Sequence, residues 1–306
     1  MEIKSVAVIG AGAIGSYFLD GLSNKLKENI WAVAEGARKK RLETAGLIIN
    51  GVQLFPKVKT PEESKGVDLL IVIVKYTALQ STLPMIEKII DEHTLVMSPL
   101  NGVDSEQIVG EKIGEKHIVH ALMKISIERR GNRIKYNPES GRGIFFGEED
   151  GSISERIAAI DALFNGTPIH HQIRKNILQD KWYKFALNIS NNLPQAILNC
   201  GFGAYTASEH VKYISKMMRA EVVAVASAKG IDISDETNPA GIPSKVLPNA
   251  RFSTLQDLDA KRETEIETFS GALVRMAKKL NVPVPFNDFA YHAIKAIEEK
   301  NAGLIS

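Results

Sequence analysis

The chain has 306 residues, 44% of them hydrophobic, and its basic and acidic side chains nearly balance to a formal net charge of +2. This length supports one or two domains, and the balanced charge excludes a whole-protein field that would attract nucleic acid or a membrane surface. The lone cysteine, Cys200, excludes an internal disulfide and a multi-cysteine metal cluster. The most apolar run, LLIVIV at 69–74, is much shorter than the roughly 20 residues that span a bilayer. We expect a soluble, unprocessed cytoplasmic protein with no nucleic acid, membrane or metal partner.

Short apolar runs separated by segments of helical length dominate the first half of the chain. They are VAVIG at 6, IWAVA at 30, LLIVIV at 69 and LVMS at 95. Such runs are typical of a parallel sheet covered by helices on both faces. Further on, GNRIKY at 131–136 and GRGIFFGE at 141–148 predict a pair of strands with glycine-bearing turns.

From about residue 172 the apolar spacing becomes helical. It predicts helices over 175–198, 207–229, 253–280 and 287–300. The segment 232–249, rich in Pro, Asp and Gly, predicts a loop that could contain a short helix. We therefore expect an α/β domain over residues 1–168 and an all-helical domain over residues 169–306.

A glycine-rich turn follows the first predicted strand and precedes a predicted helix. Its residues are Gly10, Ala11, Gly12, Ala13, Ile14 and Gly15. In this context Gly10 permits the turn off the strand, Gly12 lets a pyrophosphate approach the backbone, and Gly15 lets the helix pack closely on the sheet. A tight turn without a ligand is the alternative. The dinucleotide interpretation makes the first domain Rossmann-type and these six residues cofactor-binding.

The end of the second strand bears on the choice between NAD and NADP. Glu35 stands there, and an acidic side chain at this point binds a free ribose 2′-hydroxyl, which favours NAD. Basic residues follow at 38–41, and any of them could reach a 2′-phosphate or simply form a solvated helix face. Lys75 and Asn101 follow later strands, at the sheet edge where α/β proteins bind ligands, although Asn101-Gly102 also signals a turn.

Polar residues recur along one face of the helix predicted over 175–198. They are Lys181, Lys184, Asn188, Asn192, Gln195 and Asn199, spaced three or four apart. Apolar residues occupy the other faces, so the row predicts the lining of a polar cleft; an interhelical hydrogen-bond network or simple exposure is the alternative. Pro194 within the run predicts a kink or a local break.

Two further residues stand out in the helix predicted over 253–280. Ser253 and Gln256 have the spacing of a capping box, so Ser253 could be only a helix cap. Glu265 falls in line with Leu258 and Phe269 on this predicted helix. It is therefore the carboxylate best placed for partial burial.

Taken together, these blocks resemble the ketopantoate reductase (2-dehydropantoate 2-reductase) family, within the 6-phosphogluconate-dehydrogenase-like group. The matching pieces span nearly the whole chain: GAGAIG, VK at 74–75, NGV at 101–103, KWYKFALNISNN at 181–192, STLQD at 253–257 and TEIE at 264–267. The resemblance implies reduction of 2-dehydropantoate to pantoate in pantothenate biosynthesis, on the pathway to coenzyme A. It also implies NADP(H) as cofactor, whereas Glu35 makes NAD(H) possible.

The family pattern also assigns roles to individual residues. It makes Lys184 the proton donor, and it places Glu265 between the substrate hydroxyl and the cofactor. Asn188 and Asn192 would hold the substrate, Ser253 would contact its carboxylate side, and Lys75 and Asn101 would touch cofactor and substrate. Because the family includes dimers, the resemblance allows a homodimer.

The sequence departs from the family pattern at five positions. Glu35 replaces the usual arginine for the 2′-phosphate, Ala78 and Leu100 replace glutamines, Phe202 stands where some members bind substrate through asparagine, and Pro194 lies one residue late. The catalytic set is complete, whereas the substrate pocket differs. Another branched 2-oxo acid is therefore an alternative substrate.

The chemistry expected of this set is hydride transfer to the C2 carbonyl of a 2-oxo acid, with the Lys184 ammonium protonating the oxygen. Desolvation in a cleft that closes between the domains would lower the pKa of Lys184 toward working pH. A related NAD(P)-dependent 2-oxo acid or hydroxyacid dehydrogenase is the alternative enzyme. A non-catalytic NAD(P)-binding sensor is the alternative of another class.

Overall fold

The computed structural model describes residues 1–139, 141–234 and 246–305. The chain divides into two compact units, one made of residues 1–100 and 104–177 and the other of residues 101–103 and 178–306. A boundary after residue 168, as expected from the sequence, would separate the strand His171–Ile173 from the strand Gly143–Gly147 with which it pairs in parallel. The middle of the loop predicted over 232–249 lies outside the described residues.

Twelve strands are found in the described part of the first unit. In chain order they are β1 Val6–Ile9, β2 Ile30–Val33, β3 Leu47–Ile49, β4 Val52–Leu54, β5 Val58–Lys59, β6 Leu69–Val72, β7 Leu95–Met97, β8 Ile118–Lys124, β9 Ile127–Arg130, β10 Arg133–Tyr136, β11 Gly143–Gly147 and β12 His171–Ile173. Eight of them form one sheet in the order β12-β11-β8-β7-β6-β1-β2-β5. The six neighbouring strands β5, β2, β1, β6, β7 and β8 all pair in parallel. The pairing of β11 with β8 is antiparallel. The predicted Rossmann-type sheet is confirmed.

Helices cover both faces of this sheet. They are α1 Ala13–Gly21, α2 Ser23–Leu26, α3 Gly36–Ala45, α4 Tyr76–Ile89, α5 Ser105–Ile113 and α6 Glu155–Phe164. Alternate residues of β1 enter opposite cores: Val6 and Val8 pack in the cluster that holds Phe18 of α1, while Ala7 and Ile9 pack in the cluster that holds Ile86 of α4. Because both faces are buried, the strand is apolar throughout, as its sequence indicates.

The prediction that residues 131–136 and 141–148 form a pair of strands is wrong. β10 pairs antiparallel with β9 and parallel with β3, within a separate four-stranded sheet of order β4-β3-β10-β9. β11 instead joins the main sheet beside β8. Both segments are strands, but strand propensity does not specify the pairing partner, which is decided by which face each segment can bury.

The described part of the second unit is helical. Its helices are α7 Ile177–Leu187, α8 Leu193–Leu198, α9 Ala204–Ala207, α10 Glu209–Ala228, α11 Ser253–Asp259, α12 Ala272–Leu280 and α13 Pro285–Asn301. They enclose one apolar core that includes Trp182, Phe185 and Phe269. Among the described helices, none is both long enough and apolar enough to span a bilayer.

The helix predicted over 175–198 contains a wide turn. α7 ends at Leu187, residues 188–192 form a π-turn, and α8 continues to Leu198. Pro194 lies in the first turn of α8, where its missing N–H costs least. The local break predicted at Pro194 therefore takes the form of a π-turn just before it.

The single helix predicted over 253–280 is wrong. α11 ends at Asp259, Lys261 adopts a left-handed conformation with φ of 51°, and a second π-turn over 267–271 leads into α12. Thr264 is held away from a helical path because its backbone N–H and its hydroxyl both donate to Glu298 Oε1, at 2.7 and 2.8 Å. The sequence LDAKRETEIE has no proline or glycine to mark this break.

Candidate active site

The glycine turn forms where β1 reaches the carboxyl end of the sheet. Gly10 has φ of +97°, and a Cβ atom there would lie 2.0 Å from the Ile73 carbonyl oxygen. A Cβ atom on Gly15 would lie 2.0 Å from the Gly10 carbonyl oxygen. These two positions accept only glycine, because the obstructing atoms belong to the backbone and cannot move aside.

Gly12 has an open side. It is the N-cap of α1 in an extended conformation, with no side-chain cap on the helix. A Cβ atom on Gly12 would meet only Arg129, whose Nη1 would be 3.7 Å away. The first amides of α1 follow directly, so this surface fits the pyrophosphate of a dinucleotide, with the helix N-terminus favouring the negative charge. Ala11, Ala13 and Ile14 complete the turn.

Two other predicted cofactor residues lie at the same edge of the sheet. Glu35 follows β2 and is the exposed N-cap of α3. Lys75 follows β6 and is the exposed N-cap of α4. Since the carboxyl ends of β1, β2 and β6 are neighbours, both residues stand where ligands of open α/β sheets bind.

Three predicted residues meet in the second unit. Lys184 Nζ donates a hydrogen bond to Asn101 Oδ1 at 2.9 Å, and Asn101 Nδ2 donates to Glu265 Oε2 at 2.8 Å. The Asn101 carboxamide therefore holds an ammonium group with its oxygen and a carboxylate with its nitrogen. The chain positions 101, 184 and 265 are far apart, and only the fold brings them together.

The environment of Lys184 changes its acidity. Burial disfavours the charged amine and lowers the pKa of Lys184 to about 8, although the Glu265 carboxylate partly opposes this shift. An amine with such a pKa can exchange a proton near neutral pH, which an ordinary surface lysine with a pKa near 10.4 does far less readily. This is the property required of a general acid.

A second pair is formed by Asn192 and Ser253. Asn192, in the π-turn, donates from Nδ2 to Ser253 Oγ at 3.3 Å. The N-cap of α11 is Phe252, and Ser253 makes no capping bond there, so the capping-box prediction is wrong. Thr254 and Leu255 face the core at the start of this helix, which leaves Ser253 turned toward Asn192.

Gln195 fixes the position of Ser253. Its fully buried amide donates from Nε2 to the Ala250 carbonyl at 2.9 Å and accepts from the Phe252 N–H at 2.6 Å. Both partners lie just before Ser253 in the chain. This part of the predicted polar row is thus an interhelical link, the alternative interpretation of the row.

The other members of the row separate. Asn188 begins the π-turn and is partly exposed, Lys181 is buried, and Asn199 is the exposed left-handed residue that ends α8. Glu265 is partly buried, as expected, but not because it lies on the buried face of a helix. It lies in the break between α11 and the second π-turn, where its carbonyl accepts from the Thr268 and Phe269 N–H groups.

An aromatic cluster flanks Ser253. Phe202 packs edge-on against Phe252 and beside Tyr205, each with ring centroids 5.4 Å apart. Phe202 is held by its own N–H, which donates to the Ala250 carbonyl at 3.0 Å. Tyr205 donates its hydroxyl to the Asn191 carbonyl at 2.5 Å. The cluster, consisting of Phe202, Tyr205 and Phe252, therefore joins the π-turn to the start of α11.

Sequence reasoning missed Arg129 of β9. Its Nη1 donates to the Ala11 carbonyl at 3.1 Å, which places a guanidinium beside the glycine turn. The local sequence IERRGN indicates only an exposed charged hairpin, so no local signal marks this arginine. Among the described residues no cluster of His, Cys, Asp and Glu has a geometry that could hold a metal ion.

Comparisons with known proteins agree with this architecture. The family model "Ketopantoate reductase PanE/ApbA" matches residues 6–150, and its C-terminal counterpart matches residues 176–298. The chain is 25% identical over 305 residues to a 2-dehydropantoate 2-reductase of Pyrococcus horikoshii, covering 97% of this chain and 99% of that protein.

Two solved structures are also similar. A PanE/ApbA family ketopantoate reductase from Ralstonia eutropha shares 26% identity with a TM-score of 0.78, covering 97% of this chain and 99% of the other. A D-mandelate dehydrogenase, solved with NADH and anilino(oxo)acetate, shares 22% identity with a TM-score of 0.81 and the same coverage. The second likeness, at this identity, is one of fold.

We expect alanine to impair stability at one glycine of the turn and cofactor binding at another. Gly15→Ala should lower the free energy of unfolding by about 3 kcal/mol, because its Cβ would overlap the Gly10 carbonyl oxygen. Gly12→Ala should change the free energy of unfolding by no more than about 0.5 kcal/mol, because its Cβ would make one ordinary contact, 3.7 Å from Arg129 Nη1. It should nevertheless bind NADH and NADPH at least ~10-fold more weakly.

Urea denaturation and fluorescence titration measure the two effects. Unchanged dinucleotide affinity in a stable Gly12→Ala variant would contradict the assignment of this surface to the pyrophosphate.

Proposed function

Because the chain belongs to the ketopantoate reductase family, we propose that it reduces a 2-oxo acid, 2-dehydropantoate, to pantoate with a nicotinamide dinucleotide. The observation that carries the proposal is the hydrogen-bonded series Lys184–Asn101–Glu265. The glycine turn supports the cofactor, since its open side at Gly12 fits a pyrophosphate. The reaction would belong to pantothenate biosynthesis and so precede coenzyme A.

Lys184 supplies the proton in this proposal. When bound, the reduced nicotinamide provides a hydride for the C2 carbonyl carbon, and negative charge develops on the carbonyl oxygen. The Lys184 ammonium stabilises that charge and then transfers its proton to the oxygen. The pKa of about 8 keeps most of the amine protonated at neutral pH yet makes it a better acid than an unperturbed lysine.

Asn101 and Glu265 are positioning groups for the lysine. Asn101 fixes Nζ by accepting its hydrogen bond, and the Glu265 carboxylate, held by the same amide, favours the ammonium form. Glu265 can also accept a hydrogen bond from a hydroxyl group of the substrate. Asn188, Asn192 and Ser253 provide neutral polar groups for the carboxylate side of the 2-oxo acid, without adding a charge that would compete with Lys184.

The reaction itself provides the first test. With 2-dehydropantoate and NADPH or NADH, the absorbance of the reduced nicotinamide should fall. Lys184→Ala should lower kcat at least ~100-fold, the lower range for loss of a positioned acid, while cofactor affinity persists. Lys212→Ala, which removes an exposed lysine of α10, is the matched control and should retain full activity.

Near-full turnover by Lys184→Ala would refute its assignment as proton donor. Failure of the wild type with a panel of 2-oxo acids, together with tight dinucleotide binding, would favour the NAD(P)-binding sensor instead.

The pH dependence provides a second test. The proton donor is the ammonium form, so kcat/KM should be level below pH about 8 and fall tenfold per unit above it. Glu265→Gln removes the negative charge that raises the pKa of Lys184, so the descending limb should move to lower pH. A rate profile measured from pH 6 to 10 on both proteins checks the direction. If the descending limb stayed at the same pH in the variant, Glu265 would have no influence on the pKa of Lys184.

A second candidate substrate class is favoured by the aromatic cluster. Phe202 offers an apolar ring where some relatives use an asparagine, and it contacts Phe252, the residue next to Ser253. Such a wall would suit the side chain of an aromatic or branched apolar 2-oxo acid better than one bearing a hydroxyl.

Relative specificity separates the two substrate classes. If the aromatic cluster lines the substrate pocket, Phe202→Asn should shift the ratio of kcat/KM for 2-dehydropantoate over phenylglyoxylate upward by at least about 10-fold. Tyr213→Asn, which removes an exposed aromatic side chain of α10, should leave the ratio unchanged. Equal ratios in wild type and Phe202→Asn would remove the aromatic cluster from substrate recognition.

A further inference from the structure

We propose that Arg129 binds a phosphate group of the dinucleotide at the glycine turn. The proposal rests on the proposed function only in taking the ligand to be a nicotinamide dinucleotide. It adds a cofactor residue from β9, a strand of the small sheet and not of the nucleotide-binding sheet. Arg129 belongs neither to the glycine motif nor to the basic residues of α3 that follow β2.

The strand register directs Arg129 toward the core side of the small sheet. In β9 it lies opposite Ile134 of β10, which is 2% exposed, and Ile134 in turn pairs with Ile49 of β3. Its neighbour Arg130 lies opposite Arg133 and lines a cavity on the other face of the sheet. Arg129 stays exposed, and its guanidinium reaches along this side of the sheet to the glycine turn.

The contacts of Arg129 are with backbone carbonyls. Nε donates to the Gly131 carbonyl at 2.7 Å, and Nη1 donates to the Ala11 carbonyl at 3.1 Å. Within residues 1–139, 141–234 and 246–305, no carboxylate forms an ion pair with it. A guanidinium has five N–H donors, so these two bonds leave donors that can bind an anion at the turn.

The surrounding charge is positive. Arg38 and Arg41 of α3 face Arg129, and their repulsion adds to the effect of burial in lowering the pKa of the Arg129 guanidinium. Like charges gathered in this way repel one another in the protein alone and favour a bound anion. The amides at the start of α1, which begins directly after Gly12, have the same preference for an anion.

Phosphate is the anion that fits this arrangement. Arginine binds phosphate oxygens through two parallel N–H donors, a geometry that the single ammonium of lysine does not provide. Nη1 lies 3.7 Å from where a Cβ of Gly12 would stand, on the open side of the turn that we assign to the pyrophosphate. Arg38 and Arg41 follow β2, as does Glu35, the residue that the sequence predicts to bind the ribose.

The test compares Arg129→Met with Arg130→Met. Both variants remove one charge from the same strand, but from opposite faces. In fluorescence titrations without substrate, Arg129→Met should raise the Kd for NADPH at least 10-fold and weaken its dependence on salt concentration, while Arg130→Met should change the Kd less than twofold. Arg129→Lys should recover part of the affinity, since it keeps the positive charge but not the two parallel N–H donors of the guanidinium.

Parallel titrations with NADH identify the phosphate. An equal loss for NADH and NADPH assigns Arg129 to the pyrophosphate, and a loss confined to NADPH assigns it to the ribose 2′-phosphate; both support the proposal. Unchanged affinity in Arg129→Met, or equal losses in the Arg129 and Arg130 variants, would overturn it. If Arg129→Met does not fold, Arg129→Lys must still bind at least threefold more weakly than the wild type.

These titrations are independent of turnover. Loss of dinucleotide binding in Arg129→Met would stand even if the wild type reduced none of the 2-oxo acids, in which case only the proposed reaction would fail.

Discussion

The carboxamide of Asn101 is the interaction on which the candidate site depends. It accepts from Lys184 and donates to Glu265, so one neutral side chain sets the separation of an ammonium group and a carboxylate. Burial is the largest influence on the pKa of Lys184, and the Glu265 carboxylate opposes it. Residues 101–103 belong by their contacts to the second unit, although the chain on either side belongs to the first.

The fold could be predicted wherever burial leaves a periodic trace in the sequence. β1, buried on both faces, is apolar throughout, and α13 lies within two residues of its predicted bounds. Prediction failed where a side-chain contact distant in sequence decides the backbone. Glu298, which binds Thr264, helps to interrupt the helix predicted over 253–280. The partner of β10 likewise depends on β3 and β9, and the segment 131–136 carries no mark of either.

For the candidate site, sequence reasoning supplied residue types and the structure supplied partners. The row from Lys184 to Asn192 could be predicted because a polar stripe on an otherwise apolar helix is conspicuous. The pairing of Asn192 with Ser253 could not, since it depends on Gln195 holding the residues before α11. Arg129 is the clearest example, because its position beside the glycine turn depends on the strand register and on residues more than a hundred positions earlier in the chain.

The π-turn over 188–192 has a consequence for how this chain tolerates changes in length. Such a turn contains one residue more than an α-helical path, and each residue of an α-helix turns the chain by about 100°. Two turns of a regular α-helix take about seven residues, so the wide turn is what accommodates the eight positions from Lys184 to Asn192. Removing one residue inside the turn would let the helix run on regularly, with α8 still facing the same way. The turn is therefore the place in this helix where the chain can lose or gain one residue while Lys184 and Asn192 stay on one face.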